Sequence, residues 1–355
     1  VSDFVDQSTD IRDGEQLDLA KLEPYLKKAI PGLDGPLVVK QYPSGFSNLT
    51  YAVRVGDREM VLRRPPFGSK VKSAHDMGRE YRVLSKLHPH YPPAPEPLVY
   101  CEDTEILGAP FYVMKRIKGA ILRMVQPPGM DINPDQTRRL CESFIDNLIL
   151  MHGIDYQAVG LGDLGKPEGY VERQVNGWIK RYHGSQTDEI PDIDNIAKWI
   201  ADRTPPDSGA TLVHNDYKFD NIMLDPNDLT RVIGVLDWEM TTIGDPLIDL
   251  GTTLAYWVEP TDEQKMQIVR TFVTVLPGAM TRVQLAERYA KKTGRDISNM
   301  LWYYCFALFK LAGIVQQIYF RYAKGLTKDE RFAPLIHSVR GLGKYAVQCA
   351  ETGKF

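Results

Sequence analysis

Between Leu212 and Leu224 the chain reads LVHNDYKFDNIML. A histidine, two aspartates, a lysine and two asparagines are crowded between residues that favour burial. The segment runs on into NIMLDPNDLTRVIGVLDWE, where two short apolar runs flank Asp225-Pro226-Asn227-Asp228, a turn composition. That pattern predicts a hairpin with strands from Ile222 to Leu224 and from Val232 to Leu236. In an antiparallel pair the start of one strand lies beside the end of the other, so Asn221 and Asp237 are expected together at one end. Asp216 lies five residues upstream of Asn221, in the loop that enters the hairpin. Amide and carboxylate oxygens are hard donors that suit magnesium. A further carboxylate beside such a pair suits a base.

Chemistry of this kind needs rigid support. Residues 1–34 read as a polar tail and a short helix over DLAKLEPYLKKAI. From residue 35 the pattern changes to short alternating runs, LVVKQY, LTYAVRV and EMVLRR. They are joined by PSGFSN and by Gly56-Asp57, the latter a hairpin signal. A helix is predicted from Ser73 to His88, with Ser73 and Asp76 resembling a capping box, and the prolines of HPHYPPAPEP end it. Two more strands, PLVYCE and PFYVMKRI, are separated by a turn at Gly108. Residues 35–117 thus make a small antiparallel sheet with one helix. Residues 118–355 are expected to be mostly helical and to carry the hairpin. Leu140, Phe144, Leu148 and Met151 show the helical spacing of this part. The fold class is α+β.

The composition narrows the function. The chain is 43% hydrophobic and 25% charged with a net charge of -3, which argues against a general nucleic-acid binder. Its four cysteines form no C-x-x-C pair, so they read as reduced, buried residues of a cytoplasmic protein and not as zinc ligands. The first sixteen residues lack the apolar core of a signal peptide. The most apolar stretch, Met300 to Val315, carries Lys310 and falls short of the roughly 20 residues that span a bilayer. It reads as a buried helix, and no membrane partner is expected.

His214, Asp216 and Asn221 form H-x-D-x-x-x-x-N, followed in order by LDWE and GDPLIDL. This set resembles the catalytic segment of the aminoglycoside phosphotransferase and choline kinase group. Within that group it is most similar to the kinase domains associated with acyl-CoA dehydrogenases. The resemblance extends from about Ser44 to the C-terminal helices. It implies a bilobal protein-kinase-like fold, ATP and magnesium (Mg2+) as cofactors, and a hydroxyl of a small molecule as phosphate acceptor. Asp216 would be the base. Lys218 would contact the transferring phosphate, or stand as a solvated lysine. Asn221 and Asp237 would bind the metal. The loop carrying Ser44, Gly45, Ser47 and Asn48 would cover the phosphates with backbone N–H groups, although a plain hairpin loop has the same look. Arg63 would touch phosphate and pair with Glu80, and the backbone from Met114 to Arg116 would hold the adenine edge. His152 and His214 would be structural, while Asp245 and Asp249 would brace the catalytic loop through backbone N–H groups.

Departures from the protein kinases sharpen the reading. Asn215 stands where they carry an arginine, and only eight residues separate Asp237 from Asp245. An activation loop does not fit there and no A-P-E motif follows, which favours a small acceptor over a protein. Arg63 replaces lysine and would bind phosphate in a planar, bidentate way. The absence of G-x-x-x-x-G-K-[ST] excludes a P-loop kinase. Most of Trp178, Tyr182, Tyr256, Trp257 and Tyr319 are expected in the core, with a few facing an apolar or acyl acceptor. The dehydrogenase-associated resemblance points to a hydroxyacyl compound. The competing readings are a nucleotide-binding pseudoenzyme acting as a partner module, an aminoglycoside-type antibiotic kinase, and a metal-dependent hydrolase.

Overall fold

The computed structural model describes residues 4–43, 48–68, 76–262 and 271–355. The predicted short strands form one antiparallel sheet. Strands β1 (Leu37–Gln41), β2 (Leu49–Val55), β3 (Arg58–Arg64), β4 (Pro97–Cys101) and β5 (Phe111–Lys115) lie in the order β1-β2-β3-β5-β4. Gly56 and Asp57 close β2 onto β3, pairing Val55 with Arg58 and Leu49 with Arg64. Gly56 has φ +55°, which glycine adopts without steric cost.

Helix α1 (Leu19–Ala29) starts at Asp18, whose side chain accepts from Lys21 N. Its Leu22 and Leu26 are buried in one cluster with Tyr51, Val53, Met60, Leu62 and Val113 of the sheet. Each such leucine contributes roughly 1.5–3 kcal/mol by leaving water. The alternation of a strand puts Arg63 on the other face from Leu62, where helix α2 (Met77–Leu87) runs. Asp76 caps α2 by accepting from Arg79 N at 2.9 Å, while the start expected at Ser73 lies outside the described residues. A short helix, α3 (Thr104–Leu107), stands where only a turn was predicted, and Gly108 ends it in a left-handed conformation. The residues read as a polar tail also differ from expectation. Thr9 N donates to Gln41 O at 2.8 Å and Val5 bridges Ala120, so this segment is docked on the sheet.

The rest of the described chain is largely helical: α4 (Pro134–His152), α5 (Tyr170–Ser185), α6 (Pro191–Asp202), α7 (Pro246–Ala255), α8 (Arg282–Thr293), α9 (Met300–Ala323) and α10 (Leu335–Thr352). The apolar stretch at Met300 is the buried N-terminal half of α9, which packs on α5, α7 and α10. Among the described residues no helix is long and apolar enough to cross a membrane. Two short pairs complete the structure: β6 (Thr211–Val213) with β9 (Thr242–Gly244), and the predicted hairpin, β7 (Ile222–Asp225) with β8 (Asp228–Val235).

Contacts divide the chain into two compact units. A sheet unit comprises Val1–Ile121, Val159–Leu161 and Asn221–Thr241, and a helical unit comprises Leu122–Ala158, Gly162–Asp220 and Thr242–Phe355. The sequence reading placed the hairpin with the helices. It groups instead with the sheet, through the bridge of Leu224 to Ala120 and the bond from Val235 N to Pro93 O at 2.8 Å.

One close approach inside the helical unit makes a stability test. A Cβ on Gly251 of α7 would lie 2.7 Å from Tyr303 O and 2.9 Å from Tyr303 C of α9. Alanine ordinarily favours a helix over glycine by about 1 kcal/mol. Here the obstacle is backbone, so overpacking of roughly 1–3 kcal/mol outweighs that gain. Gly251→Ala is expected to lower the midpoint of urea denaturation. An equal or higher midpoint would mean that α7 and α9 part without cost.

Candidate active site

In the sheet unit, β3 and α2 fix the first group of side chains. Arg63, 8% exposed, donates from Nη1 to Glu80 Oε1 at 2.7 Å and from Nη2 to Asp237 Oδ1 at 2.9 Å. Burial works against the Arg63 charge, but Glu80, Tyr112 and Asp237 outweigh it and hold the guanidinium firmly protonated. Burial pushes the Glu80 carboxyl above its usual range, with Arg63 pulling it back. Asp237 has φ +66°, a left-handed conformation that a non-glycine residue adopts at a cost. The fold enforces it from the next residue. Trp238 N donates to Glu80 Oε1 at 3.2 Å, and Trp238 Nε1 donates to Val235 O at 2.8 Å. At the same end of the hairpin, Leu236 N donates to Asn221 O at 2.8 Å.

Glu239 joins this group, although no motif in the sequence singles it out. Asn48 Nδ2 donates to Glu239 Oε2 at 2.7 Å across 191 residues of chain, and Arg79 Nη1 donates to Glu239 O at 3.1 Å. Ser44, Gly45 and Ser47 lie outside the described residues. Met114 is buried on β5 opposite Val61. Arg116 N donates to Glu59 O at 3.4 Å, and its guanidinium pairs with Glu59 and reaches Asp6 O. Arg116 therefore ties β5 to β3 and to the N-terminal segment.

In the helical unit, the loop after β6 carries the second group. Asp249 of α7 is fully buried and accepts from His214 N and Asn215 N, both at 2.7 Å. It also pairs with His152 Nε2 at 3.1 Å. Burial would raise this carboxyl, but the His152 bond and the surrounding donors outweigh it and hold Asp249 below the usual carboxylate range. Asn215 has φ +66° and, among the described residues, shares a left-handed backbone only with Asp237 and glycines. The turn presents Asp216, whose carboxylate accepts from Lys218 Nζ at 2.9 Å. Lys218 also lies 4.6 Å from the ring centre of Tyr256. Burial opposes the Lys218 charge, but Tyr256, Asp216 and Asp220 outweigh it and push its pKa up. Asp245 differs from expectation: it caps α7 through Leu247 N at 2.8 Å and holds Ser208 Oγ at 2.9 Å, ahead of β6 and not on the loop that carries Asp216.

The structure thus joins Arg63, Glu80 and Asp237 in one unit, with Asn221 on the same hairpin, and Asp216 with Lys218 in the other. The chain passes between units at Asp220 and Asn221, so the H-x-D-x-x-x-x-N segment contributes to both. Among the described residues no cluster of three or more His, Cys, Asp or Glu side chains could hold a metal. Asn221 and Asp237 instead offer one amide and one carboxylate, a donor set that suits magnesium, which is commonly held by one or two carboxylates together with substrate phosphates.

These features define a protein of the kinase-like α+β class. The chain belongs to the phosphotransferase enzyme family, whose profile matches residues 38–284. It is 33% identical over 355 residues to acyl-CoA dehydrogenase family member 11 of Rattus norvegicus, covering 98% of this chain and 45% of that relative. The chain spans about half the length of the curated relatives it matches first. A Ralstonia eutropha protein inferred to be an aminoglycoside phosphotransferase superimposes with a TM-score of 0.81 at 30% identity, over 95% of this chain and 99% of that one. A thermostable mutant of an aminoglycoside phosphotransferase, in ternary complex with ADP and hygromycin B, shares the fold with a TM-score of 0.57 at 16% identity, over 92% of this chain and 97% of that one.

Proposed function

We propose that this protein is a magnesium-dependent kinase that transfers the terminal phosphate of ATP to a hydroxyl of a small molecule. The observation that carries the reading is the buried Arg63, held at once by Glu80 and Asp237. Removing such a charge from water is costly and gives little net stability. A cation kept there beside a candidate metal ligand is explained by phosphate chemistry.

Asp216 accepts the proton of the acceptor hydroxyl as its oxygen attacks the terminal phosphorus, and ADP leaves. Lys218 steers the Asp216 carboxylate and adds positive charge where negative charge develops. Arg63 orients phosphate oxygens, with Glu80 fixing its fork. Asn221 and Asp237 would hold magnesium, which neutralises phosphate charge when bound. The ADP complex of a protein with the same fold supports nucleotide use.

For the acceptor we propose a hydroxylated acyl compound, on the similarity to acyl-CoA dehydrogenase family member 11 over nearly the whole chain. The test is incubation with ATP and magnesium against two pools, hydroxyacyl compounds and aminoglycosides, read by mass spectrometry. A phosphorylated hydroxyacyl product that disappears on chelation of magnesium is expected. Phosphorylation of aminoglycosides alone would replace this acceptor class with the antibiotic one. Tight ATP binding with no product in either pool would favour the pseudoenzyme.

A further inference from the structure

Lys310 is the single charged residue between Met300 and Gln316. It is 4% exposed, in the apolar half of α9. Its Nζ donates to Asn215 O at 3.3 Å and to Thr252 Oγ1 at 3.5 Å, and lies 5.9 Å from the centre of the Trp178 ring. None of these partners is a carboxylate. Burial draws its pKa down; Asp249 and Asp216 oppose that shift, and Arg181 and Lys218 reinforce it. An ammonium in such surroundings is costly, and an apolar side chain would pack there more cheaply.

What Lys310 touches gives a reason for its presence. The Asn215 carbonyl belongs to the peptide group whose N–H is that of Asp216. That N–H donates to His214 Nδ1 at 3.3 Å. The two preceding amides, of His214 and Asn215, are held by Asp249. The peptide that aims Asp216 is thus gripped at its oxygen by α9 and at its nitrogen by the histidine. Because Asn215 is in a left-handed conformation, the turn depends on such external bonds.

We propose that Lys310 is a positioning residue for the candidate base, its ammonium fixing through Asn215 O the turn that presents Asp216. The functional part of this proposal rests on the reading of Asp216 as the base. The structural part does not.

The test compares K310M, which keeps length and removes every donor, with K310Q, which keeps a donor and removes the charge. Should methionine not be accommodated, K310L serves in its place. Hydrogen exchange read on peptides covering residues 212–219 is expected to be at least tenfold faster in K310M, and in K310Q nearer to wild type. Exchange within α9 should stay unchanged. Unaltered exchange over 212–219 in K310M overturns the proposal. Equal acceleration of α9 and the loop also overturns it, because lost packing then explains both. In a phosphoryl-transfer assay K310M is expected to lower kcat with KM for ATP unchanged, and an equal rise in KM counts against positioning. A loop that loosens in K310M while wild type transfers no phosphate to any acceptor would overturn the kinase reading and leave the structural grip standing.

Discussion

Replacing Asp216 by asparagine is expected to lower phosphoryl transfer by roughly 10²- to 10⁴-fold, the usual contribution of a positioned general base. The substitution conserves shape and keeps an oxygen for Lys218 Nζ, now 2.9 Å from the carboxylate. It removes the negative charge and with it the capacity to take a proton, and sets an NH2 donor where the second carboxylate oxygen stood. The Lys218 and Asp216 side chains are only 24% and 22% exposed, so some stability goes with the charge, and a urea denaturation of the variant run beside the assay separates lost folding from lost chemistry. Nucleotide affinity should hold, because Arg63, Glu80, Asn221 and Asp237 are unchanged. The measurement is kcat for product formation beside a titration with ATP. An unaltered kcat would remove Asp216 from the chemistry. A large loss of ATP affinity would make it a nucleotide-binding group instead.

Much of this site was legible because its parts are local or periodic. The turn at Asp225 to Asp228 and the apolar runs around it are enough to pair β7 with β8, and pairing brings Asn221 and Asp237 to one end. Arg63 and Glu80 are singled out by the resemblance to the phosphotransferase group, which implies a cation ending the third strand and an acid on the helix that follows, and alone they would read as solvated residues. The structure puts 2.7 Å between them. The wall at Met300 to Val315 was legible as a buried helix because a charge interrupts an apolar run too short for a bilayer.

The rest depends on contacts that no periodicity encodes. The bond of Asn48 to Glu239 joins residues 191 apart, and nothing in LDWE distinguishes Glu239 from a solvated surface acid. The grouping of the hairpin with the sheet depends on a bridge between Leu224 and Ala120, two apolar residues with ordinary neighbours. The N-terminal segment reads as a polar tail because much of its anchoring uses backbone and Gln41, with only isolated apolar residues such as Ile11 and Leu17 reaching the core. Lys310 was visible only as an exception. A charge in an apolar helix signals a partner, but its acceptor at Asn215 lies 95 residues away and is a carbonyl, which leaves no trace in residue type.

The largest effect on stability is expected at Asp249, and it tests the support of the loop independently of any reaction. Asp249→Asn should destabilise the protein by about 3–5 kcal/mol, the cost of removing one partner of a buried charged network. A carboxylate offers acceptors on both oxygens, and here Oδ2 takes His214 N and Oδ1 takes Asn215 N. An amide has one oxygen and one NH2, so one backbone N–H would face a donor and remain buried without a partner. The effect carries a pH signature. Asp249 is held below the usual carboxylate range in the folded protein by His152 and the surrounding donors. Its charge therefore contributes stability above the unfolded-state value of about 3.9, and the contribution falls away as pH drops through the lower folded value. Urea denaturation of wild type and variant should show the full gap at pH 7 and a shrinking gap below about pH 4, as far down as wild type stays folded. A small gap at pH 7 would mean that His152 and Asn215 find other partners. A large gap that does not narrow in acid would locate the loss in packing and not in the charge of Asp249.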